Sequence, residues 1–536
     1  MGIPAYYKKL VDTVNGLVLQ RHPDETVDWL FMDFNCLIYH CLHQKDMPIY
    51  SNDMSAYDKE LWEAEFMEHI VRYTLRVIHD VHPAEGVYLA IDGVVPMAKM
   101  RQQRLRRFKS AWMRQNQSLE TTESNSWDTN AITPGTEFMK KLRIRLEKMM
   151  KEKGRGTWKF SSSDEPGEGE HKIMAQWRTG AYRGHVAVYG LDADLVVLSL
   201  LHTITCPQIE KIWLFREEMQ AGAMVLDKAG LPTFEWFSIH ALSQWLSTPI
   251  VDRKKEFILQ YCFAMSVLGN DFLPSSLGLK MRDDGHTELL TILYQYVSQD
   301  IALISSTDYS INHEGLRALF SELSSTEAIR IQKYVQKKLR NAQHTSDLLL
   351  MGQNNWPLAH VEETQLMQGT QLSPRWQITY MTQFLNGLYK KEIMNTISKE
   401  YLYGIQWIWS YYLGKENDVC FDWFYPYSLP PLWKWVLDVV EAESLPPFPN
   451  RVYVSAKDIC PSEQLALVLP LSSWHLIPPC KEKQLPLVAP HLFPTTFTFE
   501  SVGKRYFWEC DACIPIPTIR DIKQLIQKLK HYILKR

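Results

Sequence analysis

The 536-residue chain has no apolar run near the roughly 18 residues that a membrane-spanning helix requires. Its first residues, MGIPAYYKK, lack both the apolar core of a secretory leader and the Ser or Thr at position 6 that myristoylation needs. No membrane anchor is expected, and residence in the cytoplasm is. A basic excess is missing as well: a net charge of −3 and a pI near 6.6 argue against non-specific coating of nucleic acid while leaving room for a local basic site. The nine cysteines are scattered and odd in number, and Cys36, Cys262 and Cys420 sit in apolar or aromatic surroundings, as reduced buried thiols do. The one close pair, Cys510 and Cys513, has no second pair or His at zinc spacing. There is no convincing Ser-His-Asp or Cys-His pair, no internal repeat and no low-complexity tract.

What the chain does have is carboxylates at the ends of apolar segments. Residues 161–200, SSSDEPGEGEHKIMAQWRTGAYRGHVAVYGLDADLVVLSL, carry Glu168, Glu170, Asp192 and Asp194. The run HVAVYGLDADLVVLSL reads as a strand buried on both faces, where a carboxylate is too costly without a cation or hydrogen-bond donors. In extended chain Asp192 and Asp194, two apart, point the same way. Pro166 and its neighbouring glycines open a helix through HKIMAQW, so Glu168 and Glu170 fall in a first turn that favours ionised carboxylates.

Residues 27–35, VDWLFMDFN, and 85–93, EGVYLAIDG, read as two more buried strands, ending on Asp33 and Asp92. Helical stretches such as CLIYHCLH and DKELWEAEFMEHIVRYTLRVIHDV intervene. The alternation predicts an α/β fold with a mostly parallel central sheet flanked by helices, whose functional crevice lies at the carboxyl ends of the strands. A Gly-Asn-Asp turn closed by Pro274 sets Asp271 after an apolar helical run. Seven acids gathered without Cys or His suit Mg²⁺ or Mn²⁺, and two such ions would support in-line displacement at phosphorus by water. His171, beside the glutamates, is expected to pack or hydrogen-bond rather than to ligate.

Directly after Asp92, AKMRQQRLRRFKSAW places Lys99, Gln103, Arg106 and Arg107 at i, i+4, i+7 and i+8, one face of a helix able to close around a phosphate. Residues 114–133 are polar and read as a mobile surface loop, and ITPGTEFMKKLRIRLEKMMKEK as a turn followed by a helix. Residues 281–370 read as charged helices interrupted by a loop, HTSDLLLMGQNNWPLAH, without a functional signal. The aromatic-rich residues 401–436 are expected to be core for most rings, with base stacking the sharper reading for a few. The tail, TIRDIKQLIQKLKHYILKR, is an amphipathic helix.

Several motifs in order resemble the XRN family of 5′→3′ exoribonucleases: MGIP, FMDFN, AIDGVVPMAKMRQQRLRRFKSA, ITPGTEFM, EPGEGEHKIM, YGLDADLVVLSL and VLGNDFLP, then GIQWIWSYYLG, DWFYPYSLPPL, SEQLALVLP and YFWECDACIPIP. The resemblance implies a flap-nuclease-like catalytic domain over residues 1–240, with a largely helical second segment, 241–536, that contains Asp271 and an aromatic region completing the active site. It implies metal binding by Asp33, Asp92, Glu168, Glu170, Asp192, Asp194 and Asp271, and a 5′-phosphate pocket of Lys99, Gln103, Arg106 and Arg107. Trp508 matches the family's base-packing tryptophan. Where the family has Gly and then His, this chain has Cys36 and Tyr39, with His40 one place on, so Tyr39 or His40 would stack the base. The expected substrate is single-stranded RNA with a 5′-monophosphate, degraded processively by a monomer without the partners that a long C-terminal extension recruits. A flap-type 5′ nuclease acting on DNA and an inactive scaffold that binds RNA ends are the alternatives.

Overall fold

Short β-branched and aromatic segments build the central sheet of the computed structural model, which describes residues 3, 5–44, 46–117, 127–154, 156–220, 223–343, 358, 360–415, 418–443 and 454–534. Seven strands lie in the order β1 (Val18–Leu19), β9 (Phe234–Ser238), β6 (Ile209–Glu217), β5 (Gly184–Tyr189), β2 (Trp29–Asp33), β3 (Gly86–Ala90), β4 (Lys159–Ser161). The five from β6 to β4 are parallel, and β9 and β1 add an antiparallel edge. The chain runs outward through β2, β3 and β4, then returns to place β5 on the other side of β2. The reversal between β2 and β5 is a switch point, where parallel sheets open a crevice at the carboxyl ends of their strands. A small hairpin, β7 (Met219–Gln220) and β8 (Ala223–Met224), follows β6.

Helices fill the connections: α1 (Tyr6–Thr13), α2 (Asn35–Leu42), α3 (Ala56–Val81), α4 (Met97–Gln117), α5 (Glu137–Lys153), α6 (Gly169–Arg178), α7 (Asp194–Thr205) and α8 (Ile239–Ser247). Their starts follow capping chemistry. Ser55 Oγ accepts from Asp58 N–H ahead of α3, and Thr136 Oγ1 from Met139 N–H ahead of α5. Between the sheet and α3 and α5 lies a core in which Trp127 packs on Trp62, Phe66 and Phe138.

Two expectations need correction. The run from His185 to Leu200 is not one strand: β5 stops at Tyr189, and Asp194 opens α7, through which LVVLSL continues. Sixteen residues exceed a strand, and a mainly apolar run without periodicity does not distinguish a strand from a buried helix. Both ends of the polar loop expected over 114–133 are structured instead, since α4 continues to Gln117 and Trp127 is buried; residues 118–126 lie outside the described residues. Most of the loop expected at 344–360 lies outside them too.

The chain forms two compact units that do not follow chain order. The sheet unit holds residues 7–246, 454–495 and 515–536, and the helical unit holds 1–6, 247–453 and 496–514. The expected division at 240 would have left everything after it in the second domain, whereas two later segments belong to the sheet unit. Arg104 of α4, fully buried, gives the physical reason: its guanidinium donates to the carbonyls of Pro515 (2.9 Å), Leu467 (2.5 Å) and Leu492. Gln464 Oε1 accepts from Val95 N–H at 3.0 Å, and Asn130 Nδ2 donates to Ser473 Oγ at 2.9 Å. These bonds tie α16 (Pro461–Val468) and the segments that flank α17 (Leu485–Val488) and precede α18 (Ile519–Leu534) into the unit.

The helical unit comprises α9 (Lys254–Ala264), α10 (Gly285–Ser298), α11 (His313–Ser325), α12 (Glu327–Gln343), α13 (Trp376–Thr379), α14 (Lys391–Leu413) and α15 (Trp433–Ala442). Two-stranded ribbons, β10 (Met367–Gln368) with β11 (Gln371–Leu372) and β12 (Phe499–Glu500) with β13 (Asp511–Ala512), complete it. Here Tyr401, Trp407, Trp423, Tyr425 and Trp433 are fully buried, so the aromatic-rich segment is core for these rings. Glu327 opens α12 and also caps α15, both carboxylate oxygens accepting from Trp433 N–H at 3.0 Å. Among the described residues no helix is long and apolar enough to cross a membrane.

Candidate active site

Three neighbouring strands deliver the acids to one edge. Asp33 is the last residue of β2, paired with Ala90, and Asp92 follows β3 by two residues. Asp192 and Asp194 come after β5, on the other side of β2. Glu168 is the N-cap of α6 and Glu170 lies in its first turn, as the Pro-Gly punctuation predicts. Asp33, Glu168, Glu170 and Asp194 are buried, while Asp92 and Asp192 are half-buried.

One carboxylate oxygen each from Asp33, Asp92 and Glu170 lie within 4.8 Å of one another, and so do ligand atoms of Glu168, Glu170 and His171. Glu170 therefore belongs to both groups. Burial and like charge together disfavour ionisation. Burial, then Asp92, Asp192 and Asp194, hold the Asp33 carboxyl well above its ordinary value, and burial with Glu168 and Asp33 does the same to Glu170. Burial and Glu168 push Asp92 up to about 6, against the Gly169 N–H and Lys99. Acids crowded this way release their protons to a multivalent cation, and the donor set fits one.

The cradle is tight. A Cβ on Gly169 would sit 2.4 Å from Asp33 Oδ1, and one on Gly190 would meet Leu195 at 2.4 Å and Asp33 Cβ at 3.4 Å. Supporting residues that sequence reasoning misses hold the acids in place. Asn35 Nδ2 donates to Asp92 Oδ2 at 2.9 Å while its Oδ1 accepts from Asp92 N–H, and Gly169 N–H donates to Asp92 Oδ1 at 2.7 Å. Lys172 Nζ ties the carbonyls of Ile91 and Ser162, which fixes the strand ends. The signal for Asn35 lies in FMDFN, two residues after Asp33.

Along α4, Lys99 reaches Glu168 Oε2 at 2.7 Å. Gln103 and Arg107 are buried, and among the described residues Gln103 Oε1 and Arg107 Nη1 have no hydrogen-bond partner; Arg106 is exposed. Burial lowers Arg107 to about 10, against Tyr39. Tyr39 is half-buried, whereas His40 is buried with its ring 5.1 Å from Tyr73 and Nε2 3.9 Å from Glu217. Of the two rings on α2, Tyr39 keeps partial exposure and His40 is buried. The displacement by one position turned His40 about 100° round α2 into the core.

In the helical unit, Asp271 is half-buried in the turn after Gly269, whose φ of +88° and neighbours exclude a side chain. Asn270 Oδ1 accepts from Phe272 and Leu273 N–H. Trp508 is half-buried, with its ring nearly parallel to that of Tyr506.

The family model for the XRN 5′-3′ exonuclease N-terminus matches residues 1–218, and that for the Xrn1 helical domain matches residues 374–533. The chain belongs to the XRN family. It is 24% identical over its whole length to 5′-3′ exoribonuclease 1 of Homo sapiens, spanning 34% of that protein. It is 28% identical to 5′-3′ exoribonuclease 2 of Candida glabrata over 74% of this chain and 45% of the relative. With 5′-3′ exoribonuclease 1 of Saccharomyces cerevisiae it shares 29% identity over 62% of this chain and 23% of the relative. The chain thus spans less than half the length of these curated XRN relatives.

Proposed function

We propose that the chain is a metal-dependent 5′→3′ exoribonuclease that takes single-stranded RNA bearing a 5′-monophosphate and releases nucleoside 5′-monophosphates processively. One observation carries the reading: Glu170 serves two ligand groups at once, and Glu168 of the second is held by Lys99, on the helix that buries Arg107 Nη1 without a partner. A site for divalent cations thus shares a lysine with a cationic helix face suited to a terminal phosphate.

In this reading Asp33, Asp92, Glu168, Glu170, Asp192 and Asp194 would hold Mg²⁺ or Mn²⁺ in two positions that share Glu170; Asp271, in the helical unit, is a metal-ligand candidate by its motif alone. Ions bound there would supply an activated water and charge stabilisation at the leaving oxygen. Asn35 and the Gly169 N–H orient Asp92, and Lys172 holds the strand ends. Lys99, Arg106 and Arg107 bind the 5′-phosphate. Gln103 joins them by turning its amide to present N–H groups. Tyr39, rather than His40, stacks on a base, and so does Trp508.

The test is degradation of a 3′-labelled RNA with a 5′-monophosphate, beside the same RNA with a triphosphate or hydroxyl, with Mg²⁺ and with chelator. Metal-dependent loss of the monophosphate RNA alone, without ladder intermediates, is expected. Cleavage indifferent to the 5′ group would indicate a flap-type nuclease, and binding without turnover would indicate a scaffold.

A further inference from the structure

Residues 92–96 of the sheet unit join the end of β3 to α4, and their backbone is held from three sides. Asp92 N–H donates to Asn35 Oδ1 at 3.1 Å. Gly93 N–H donates to the Gly167 carbonyl, and the Val94 carbonyl accepts from Gly167 N–H, both at 2.8 Å. A Cβ on Gly93 would stand 1.7 Å from the Glu165 carbonyl oxygen, so only glycine lets the two chain segments approach this closely. Val95 is fully buried, and its N–H donates to Gln464 Oε1 at 3.0 Å, on a residue 369 positions further along the chain.

This short segment relates three parts of the candidate site to one another. Asp92 stands at its start and Lys99 lies in the first turn of α4 at its end. The bonds to Gly167 fix the residue next to Glu168, which Lys99 reaches at 2.7 Å. Gln464 sits on α16 and is fully buried. The start of α16 is itself fixed: Glu463 accepts from Cys460 N–H at 2.9 Å, and a Cβ on Gly135 would meet Pro461 Cβ at 2.7 Å. Only one half of the Gln464 amide is used, because Nε2 is buried without a hydrogen-bond partner among the described residues. Unspent buried donors cost stability, and an apolar side chain of similar shape such as Met would not carry them. What Gln464 adds is an acceptor for Val95 N–H.

We propose that Gln464 is a positioning residue for the candidate active site: by accepting from Val95 N–H it sets the segment between Asp92 and Lys99, and so the placement of the metal-binding acids relative to the phosphate-binding helix. The proposal rests on the reading of Asp92 as a metal ligand and Lys99 as a phosphate ligand. Residues that orient ligands without touching the ion are commonly worth about ten- to a hundredfold in metal affinity or activity.

Two variants of the full chain test it: Gln464→Met, which removes the acceptor at similar volume, and Gln464→Glu, which keeps an oxygen for Val95 N–H. Mn²⁺ binding is measured by calorimetry without RNA, and kcat and KM on a 5′-monophosphorylated single-stranded RNA. Gln464→Met should bind Mn²⁺ about tenfold more weakly and lose about tenfold or more in kcat/KM, while melting with the wild type. Gln464→Glu should recover most of both losses. Wild-type Mn²⁺ affinity in Gln464→Met overturns the proposal, and so do losses that Gln464→Glu leaves unrecovered. A Gln464→Met chain that melts early or fails to fold overturns it in favour of a structural role. Hydrogen exchange needs no variant: the Val95 amide of the wild type should be protected as strongly as those of β3, and fast exchange there removes the bond on which the proposal stands. A wild type that binds Mn²⁺ but degrades no RNA would refute the proposed activity alone, and the calorimetric comparison still decides the role of Gln464.

Discussion

Gly169 joins two parts of the candidate site in one residue: its N–H holds Asp92, and the space a side chain would need is taken by Asp33 Oδ1, 2.4 Å from where a Cβ would stand. Gly169→Ala is expected to displace Asp33 and weaken Mn²⁺ binding about tenfold or more, read by calorimetry on a protein that still melts cooperatively. Unchanged affinity would remove Asp33 from the ligand set. Glu327 makes a residue-scale prediction away from the site. Burial pushes its carboxyl from 4.5 up to about 8, against the Trp433 N–H that it accepts. The folded chain keeps a proton that the unfolded chain releases, so this stability is complete below about pH 4.5, drains as pH rises through about 8, and is absent above it. Between those limits the slope approaches about 1.4 kcal/mol per pH unit. Glu327→Gln keeps a neutral group of the same shape and should flatten that part of the stability curve in denaturant melts; parallel curves would refute the assignment.

At the scale of elements, α4 has two jobs on two faces. Lys99, Gln103 and Arg107 belong to the candidate phosphate site, while Arg104 is committed to three backbone carbonyls far along the chain. Arg104→Met leaves those carbonyls without their donor and should cost about 3 kcal/mol or more. Hydrogen exchange locates the effect: amides of α16 and α18 should lose protection, and those of α14 should not. All four residues lie in one basic run, AKMRQQRLRRFKSAW, and only the helical period separates Arg104 from the others. The period alone groups Arg106 with Lys99, Gln103 and Arg107, whereas the fold exposes Arg106 and buries Gln103 and Arg107. The period cannot show the carbonyls that claim Arg104, nor the hydrogen bonds from Tyr73 (2.7 Å) and Tyr189 (2.6 Å) to the buried carboxylate of Glu217, which turn the end of β6 into a polar hub. Period also fails where there is none: the run through Asp192 and Asp194 changes from strand to helix without a break in apolar composition.

For the molecule as a whole, the acid cluster costs the metal-free fold stability. Asp33 is buried among acids that raise its pKa, so the metal-free fold carries repulsion that a divalent cation relieves. Adding Mg²⁺ or Mn²⁺ should raise the melting temperature, and chelator should reverse the rise. Asp33→Asn removes one charge without changing shape. It should melt above the wild type in chelator, gain less on adding metal, and lose hydrolysis. A variant that is destabilised in chelator would show that Asp33 is held by hydrogen bonds rather than strained by its neighbours.

Local sequence is sufficient to specify the parallel sheet, the acids at its carboxyl edge and the helix start that carries Glu168 and Glu170. Each rests on period, punctuation and the cost of burying charge, which act within one segment. Only the folded chain shows that His40 faces Tyr73 and Glu217, that Arg104 is a clamp, and that segments near the C-terminus complete the sheet unit. Those outcomes depend on partners remote in sequence: Arg104 bonds to residues 363 and 411 positions away, and no local pattern specifies which distant carbonyl will cover a buried donor.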